Sequence, residues 1–84
     1  MTPSEALRLI QGYAAAGRIE FSHHARTRMR ERGAGRDDVL RAIATATAAG
    51  PSDTRWRLDG ADRDGDALTV VCSVCDGVVV VTVF

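Results

Sequence analysis

Three side chains able to handle a phosphodiester recur at intervals of four: His24, Arg28 and Arg32, within the stretch His24-Ala25-Arg26-Thr27-Arg28-Met29-Arg30-Glu31-Arg32-Gly33. At roughly 100° per residue, positions i, i+4 and i+8 of a helix drift through only about 80°, so the three lie on one stripe. An imidazole can move a proton near neutral pH. A guanidinium offers a planar fork of donors that fits a phosphate, or the more highly charged phosphorane that develops from it. The combination is suited to phosphoryl chemistry. The same charges also suit a merely solvated helix face, on which Arg28 pairs with Glu31. His23, the chain's other imidazole, lies about 100° away around the helix.

A single small domain, residues 1–84, must position these groups. With 84 residues, 45% of them hydrophobic, the chain can build one core and not two. Residues 1–18 read as an N-terminal helix, in which Ser4 caps the apolar series Ala6, Leu7, Leu9, Ile10, Tyr13 and Ala14 before Gly17 stops it. Residues 19–50 hold two further helices and the His/Arg motif. Ile19–Phe21 reads as an extended link, and Ser22 caps a helix that runs to Gly33 with Ala25 and Met29 inward. Asp37 and Asp38 suit the positive end of the third helix, where Val39, Leu40, Ile43 and then Thr47 keep helical spacing until Gly50-Pro51.

From Trp56 onward the apolar period is two, and residues 52–84 read as an antiparallel three-stranded meander. Asp76-Gly77 predicts a two-residue turn that pairs Val74 with Val79, Cys72 with Val81 and Val70 with Val83. Arg63-Asp64-Gly65 predicts a three-residue turn with left-handed glycine, because that register sets Leu58 opposite Val70 and Trp56 opposite Cys72. A two-residue turn there would bury Arg55 and Arg57. The fold expected is α+β, with N-terminal helices on the apolar face of the small sheet. The opposite face then shows Arg55, Arg57, Thr69, Ser73 and Thr82, donors suited to a sugar-phosphate backbone, together with Val71, Val78, Val80 and Phe84.

Formal net charge is zero, from 11 basic and 11 acidic residues, so the whole chain has no long-range pull on nucleic acid. The distribution is uneven: residues 23–36 carry five arginines against Glu31 alone, and every basic residue of the chain is arginine. No apolar run approaches the length of a membrane span, and Glu5 and Arg8 interrupt any secretory pattern, so a cytoplasmic protein without membrane contact is expected. Cys72-x-x-Cys75 is a weak metal signal. Zinc needs two more ligands, and His23 and His24 are the only histidines. The aspartate run 59–66 lacks the bidentate glutamate of a calcium loop and reads as a solvated hairpin tip. Neither a metal nor a cofactor is expected.

Phe21-Ser22-x-His24-Ala25-x-x-Arg28-Met29-x-x-Arg32-Gly33, then Asp38-Val39, Ala42-Ile43, Trp56-Arg57-Leu58 and the closing Val80-Val81-Thr82-Val83-Phe84, resemble the small bacterial family called domain of unknown function 4258. The resemblance covers roughly residues 19–84. Ala34-Gly35 departs from it, standing where an apolar residue and a serine cap are usual. Such domains are similar to the compact ribonuclease toxins of RelE-like and BrnT-like kind. The resemblance implies an RNA-cleaving toxin of a bacterial toxin–antitoxin system, held silent by a protein antitoxin; an acidic segment of that partner laid across Arg28 and Arg32 would compete with phosphate. His24, Arg28 and Arg32 are then the catalytic candidates, and Arg55, Arg57 and Thr82 the RNA-binding ones. The competing expectation is a noncatalytic protein-interaction or RNA-binding domain whose arginine stripe docks an acidic partner.

Overall fold

The computed structural model describes residues 1–84. In chain order the elements are α1 (Pro3–Ala15), β1 (Ile19–Phe21), α2 (His23–Arg32), α3 (Arg36–Thr45), β2 (Ala49–Ser52), β3 (Arg55–Ala61), β4 (Ala67–Val74) and β5 (Val78–Val83). They make an α+β fold: one five-stranded sheet, in the order β1-β5-β4-β3-β2, with a core formed jointly by its inner face and residues of all three helices. The expected meander is its centre. Two short strands extend it, β1 parallel to β5 and β2 antiparallel to β3, so the sheet is mixed rather than purely antiparallel. Ile19–Phe21 is therefore a strand rather than a link. The third helix stops at Thr45, and the small residues expected to prolong it lead into β2 instead.

Local chemistry explains the helix ends. Thr2, not Ser4, caps α1: its hydroxyl accepts the Glu5 N–H at 3.2 Å, and the Glu5 carboxylate accepts the Thr2 N–H at 3.1 Å. This reciprocal box, with Pro3 in the first turn, outcompetes a serine placed two residues later. At the start of α3 Gly35 has no side chain to offer, and Asp38 reaches back to accept its N–H at 2.9 Å. Asp38 also accepts the Arg63 N–H at 3.2 Å, which ties the β3–β4 hairpin tip to the helix.

Between β3 and β4 the expected register holds, with Trp56 opposite Cys72 and Leu58 opposite Val70. Gly65 sits at φ 85°, the left-handed position that the three-residue turn requires. Arg55 and Arg57 consequently stay on the helix-free face. Between β4 and β5 the register differs from expectation. Val74 pairs with Val78 and Cys72 with Val80, around a three-residue turn of Cys75, Asp76 and Gly77, with Asp76 at φ 51°. Val78 and Val80 therefore enter the core, and Val79 and Val81 do not. The cause is β1. Ile19 and Phe21 pack inward beside Val78 and Val80, and laterally paired residues share a face, so this neighbour fixes which valines turn in.

An extra residue in β5, Val81, then shifts the ladder, and Val71 pairs with Thr82 and Val70 with Val83 as the two-residue turn would have had it. The bulge reverses the alternation for the rest of the strand. Without it Val78, Val80, Thr82 and Phe84 would share one face; with it Val83 is buried and Phe84 faces outward.

Candidate nucleic-acid interface

One hydroxyl seats the helix that carries the motif. Ser22 Oγ accepts the Ala25 N–H at 3.0 Å, capping α2, and donates to the carbonyl of the bulge residue Val81 at 2.9 Å. Its N–H bonds the Val80 carbonyl at 2.9 Å. Ala25 is fully buried and Met29 partly so. Measured around the helix from Ala25, His24 stands about 100° away, Arg28 about 60° and Arg32 about 20°. The stripe thus turns toward the sheet along its length.

His24 is exposed, one turn before the arginines. Arg28 is partly buried; its Nε donates to the Val83 carbonyl at 3.4 Å and stands 3.8 Å from Glu31 Oε1, the intrahelical pairing the sequence suggested. Arg32 Nη2 donates to the Ala67 carbonyl at 3.0 Å, at the start of β4. Thr82 Oγ1 points to the same Val83 carbonyl at 3.5 Å. A catalytic candidate from α2 and an RNA-binding candidate from β5 meet at one atom.

Just beyond that carbonyl lies Phe84, held to Thr69 by a pair of backbone hydrogen bonds of 2.8 and 3.0 Å. The Arg57 guanidinium lies 5.2 Å from the centre of its ring. Arg57 Nε also donates to Asp59 Oδ1 at 3.2 Å, an oxygen that accepts Thr69 Oγ1 at 2.6 Å. The Thr69 hydroxyl, with Arg57 behind it, holds the Asp59 carboxyl below the usual aspartate range, so it stays ionised. Arg28, Arg32, Thr82 and Arg57 therefore surround the end of β5. Arg55 lies on the same outer face, two residues further along β3. Sequence reasoning set Phe84 on this face but gave it no role, and it read Asp59 only as part of a solvated hairpin tip. The signal was available in the β3–β4 register, which sets Asp59 opposite Thr69.

The other chemically suggestive groups are arranged differently. Cys72 is buried in the core, where desolvation pushes its thiol up to about 12, while Cys75 is exposed in the turn. Neither shares a ligand cluster with a histidine. Asp62, Asp64 and Asp66 bring carboxylate oxygens within 4.8 Å of one another, but Asp62 Oδ1 already accepts the N–H groups of Asp64 and Asp66 at 2.9 Å, the work of a turn. The largest cavity, about 370 Å³, lies at the other end of β5, among Arg18, Glu20, Cys75 and Asp76. The surface around Phe84 is open.

Residues 21–84 match the family described as Domain of unknown function (DUF4258). The chain belongs to this family. The DUF4258 match begins at the last residue of β1 and takes in α2, α3 and the strands β2–β5, with every residue of the candidate surface, while α1 lies before it. No curated protein and no solved structure matches the chain.

Proposed function

We propose that this DUF4258 protein is a cytoplasmic endoribonuclease toxin of a bacterial type II toxin–antitoxin system, cleaving RNA without a metal by attack of a 2′-hydroxyl on the adjacent phosphorus. The observation that carries the reading is the convergence at the Val83 carbonyl. It joins Arg28 of the α2 stripe to Thr82 of the open sheet face, with Arg32 fixed nearby on Ala67, at a surface that forms no small-molecule pocket. Arg28 spends only Nε on that carbonyl, and Arg32 only Nη2 on Ala67. The remaining guanidinium donors are available to the nonbridging oxygens.

His24 takes the 2′-hydroxyl proton as the O2′–P bond forms. The P–O5′ bond then breaks, the leaving 5′-oxygen takes a proton from His23 or water, and the products are a 2′,3′-cyclic phosphate and a free 5′-hydroxyl. Arg28 and Arg32 stabilise the charge gathered on the phosphorane, and Arg55, Arg57 and Thr82 position the strand. The partner is RNA, and the cognate antitoxin lays an acidic segment on Arg28 and Arg32, as Glu31 already does in miniature to Arg28 alone. The noncatalytic reading, an interaction or RNA-binding domain, is favoured by one observation: His24 has no partner that fixes its ring or tautomer.

End-group analysis of RNA incubated with the purified protein in EDTA separates the two. Cyclic-phosphate ends are expected, with a loss of about 100-fold or more in His24→Ala and a comparable loss in Arg28→Lys, whose ammonium lacks the fork. Full cleavage by His24→Ala overturns the assigned chemistry. RNA that is bound but left intact by the unsubstituted protein establishes the noncatalytic reading.

A further inference from the structure

We infer that Phe84 is a stacking platform for one unpaired nucleobase, and that the ligand of this surface is single-stranded RNA rather than a duplex; the inference rests on the RNA reading above. Phe84, the residue after β5, is 43% exposed, against near-complete burial of the inward-facing Val78, Val80 and Val83. Its outward position is set by structure: the bulge at Val81 turns it out, and its backbone is locked on Thr69 at both ends of the peptide ladder. Arg57 lies over the ring and stiffens it, while the residue as a whole stays 43% exposed. An aromatic side chain presented in this way meets any base through its π-face.

Charge decides what kind of group sits there. Asp59 is fixed beside the platform, its Oδ1 held by Arg57 and Thr69, and an ionised carboxylate repels phosphate. An uncharged base tolerates it. The phosphates belong one step away, at Arg28 and Arg32, whose guanidinium donors have no carboxylate closer than the 3.8 Å contact with Glu31. Base on the sheet face and phosphates on the helix side require the base to be splayed from its backbone, which an A-form duplex does not allow. A single strand does so readily.

The test uses a fluorescein-labelled 2′-O-methyl oligoribonucleotide, which lacks the attacking hydroxyl and stays intact, as a single strand and annealed to its complement. Fluorescence anisotropy with the full chain is expected to show tighter binding of the single strand. Phe84→Leu, which keeps apolar bulk at an exposed position, should weaken that binding by about 5- to 100-fold. Phe84→Trp should retain it. Replacing successive bases by abasic residues should weaken binding to the unsubstituted protein at one position, and that position should be silent in Phe84→Leu. Equal affinity for duplex and single strand overturns the inference. So does wild-type affinity in Phe84→Leu while Arg28→Ala binds poorly, an outcome that leaves the RNA reading standing. Failure of both the single strand and the duplex to bind overturns this inference and the RNA reading together.

Discussion

Every basic residue of the chain is arginine, and the structure uses the guanidinium as a plane as well as a charge. Arg18 lies 5.2 Å from the Tyr13 ring centre, Arg36 5.7 Å from that of Phe21 and Arg57 5.2 Å from that of Phe84. Arg18 at the same time donates to Asp76, and Arg57 to Asp59. An ammonium cannot stack and fork at once, so lysine would give up one contact at each place. The stripe of His24, Arg28 and Arg32 is legible in the sequence because helical periodicity alone puts it on one line. Its attachments are not legible, since Arg28 reaches a carbonyl 55 residues away and Arg32 one 35 residues away. The cysteines differ in the same residue-by-residue way. Burial keeps the Cys72 thiol protonated to about 12, whereas Cys75 is open to solvent. A thiol reagent at neutral pH is expected to titrate one cysteine promptly in the native protein and the second only in denaturant; two prompt thiols would contradict the placement of Cys72 in the core.

At the scale of elements, the β3–β4 hairpin is readable because Arg55 and Arg57 alternate with Trp56 and Leu58, and one register alone keeps the charges off the dry face. The β4–β5 hairpin is not, because Val78–Val81 is apolar on both faces and carries no period of two. Its register is settled by β1, a strand of three residues too short for its Ile-Glu-Phe alternation to be read as a period, and then corrected by the bulge that Ser22 holds. Strand β2, with Gly50 and Pro51, likewise has the composition of a turn. Another constraint is spatial: α3 crosses β3 so closely at Gly60 that a Cβ there would fall on the Ala42 carbonyl, 2.6 Å from its carbon. Thr45 seals the same crossing by accepting the Ala61 N–H at 2.9 Å. Gly60→Ala should therefore push the helix off the sheet, costing about 3 kcal/mol and lowering the thermal midpoint by roughly 10–20 °C. A calorimetric midpoint within a degree or two of the unsubstituted protein would mean that the crossing is looser than this.

At the scale of the whole molecule, a net charge of zero conceals a basic helix and a belt of aspartates, and the acidic groups bind the parts together. Glu5 at the start of α1, Asp38 at the start of α3 and Asp59 on the sheet all have carboxyls held below their ordinary range, by the Thr2 N–H, the Gly35 N–H and the Thr69 hydroxyl respectively. Because the folded protein binds these protons less readily than the unfolded chain, their contribution is present above the unfolded values near pH 4 and is lost as pH falls through the lower folded ones. Thermal midpoints measured from pH 6 downward should fall below about pH 4, and Asp38→Asn should flatten that fall; an identical acid limb in the variant would remove Asp38 from the account. No helix is long and apolar enough to cross a membrane.

The position of β1 has one more effect. Val78–Val83 is the segment of this chain best suited to stack against copies of itself: rich in β-branched residues, uncharged, and without proline or glycine. As the last strand of a bare meander it would be an outer edge, with a row of unpaired amides open to any passing chain. Three residues, Ile19, Glu20 and Phe21, occupy that edge and put a carboxylate in the middle of the new border, while Pro51 leaves the opposite border one donor short. The shortest strand of the sheet is thus what keeps the chain's most self-complementary segment from lying at an open edge.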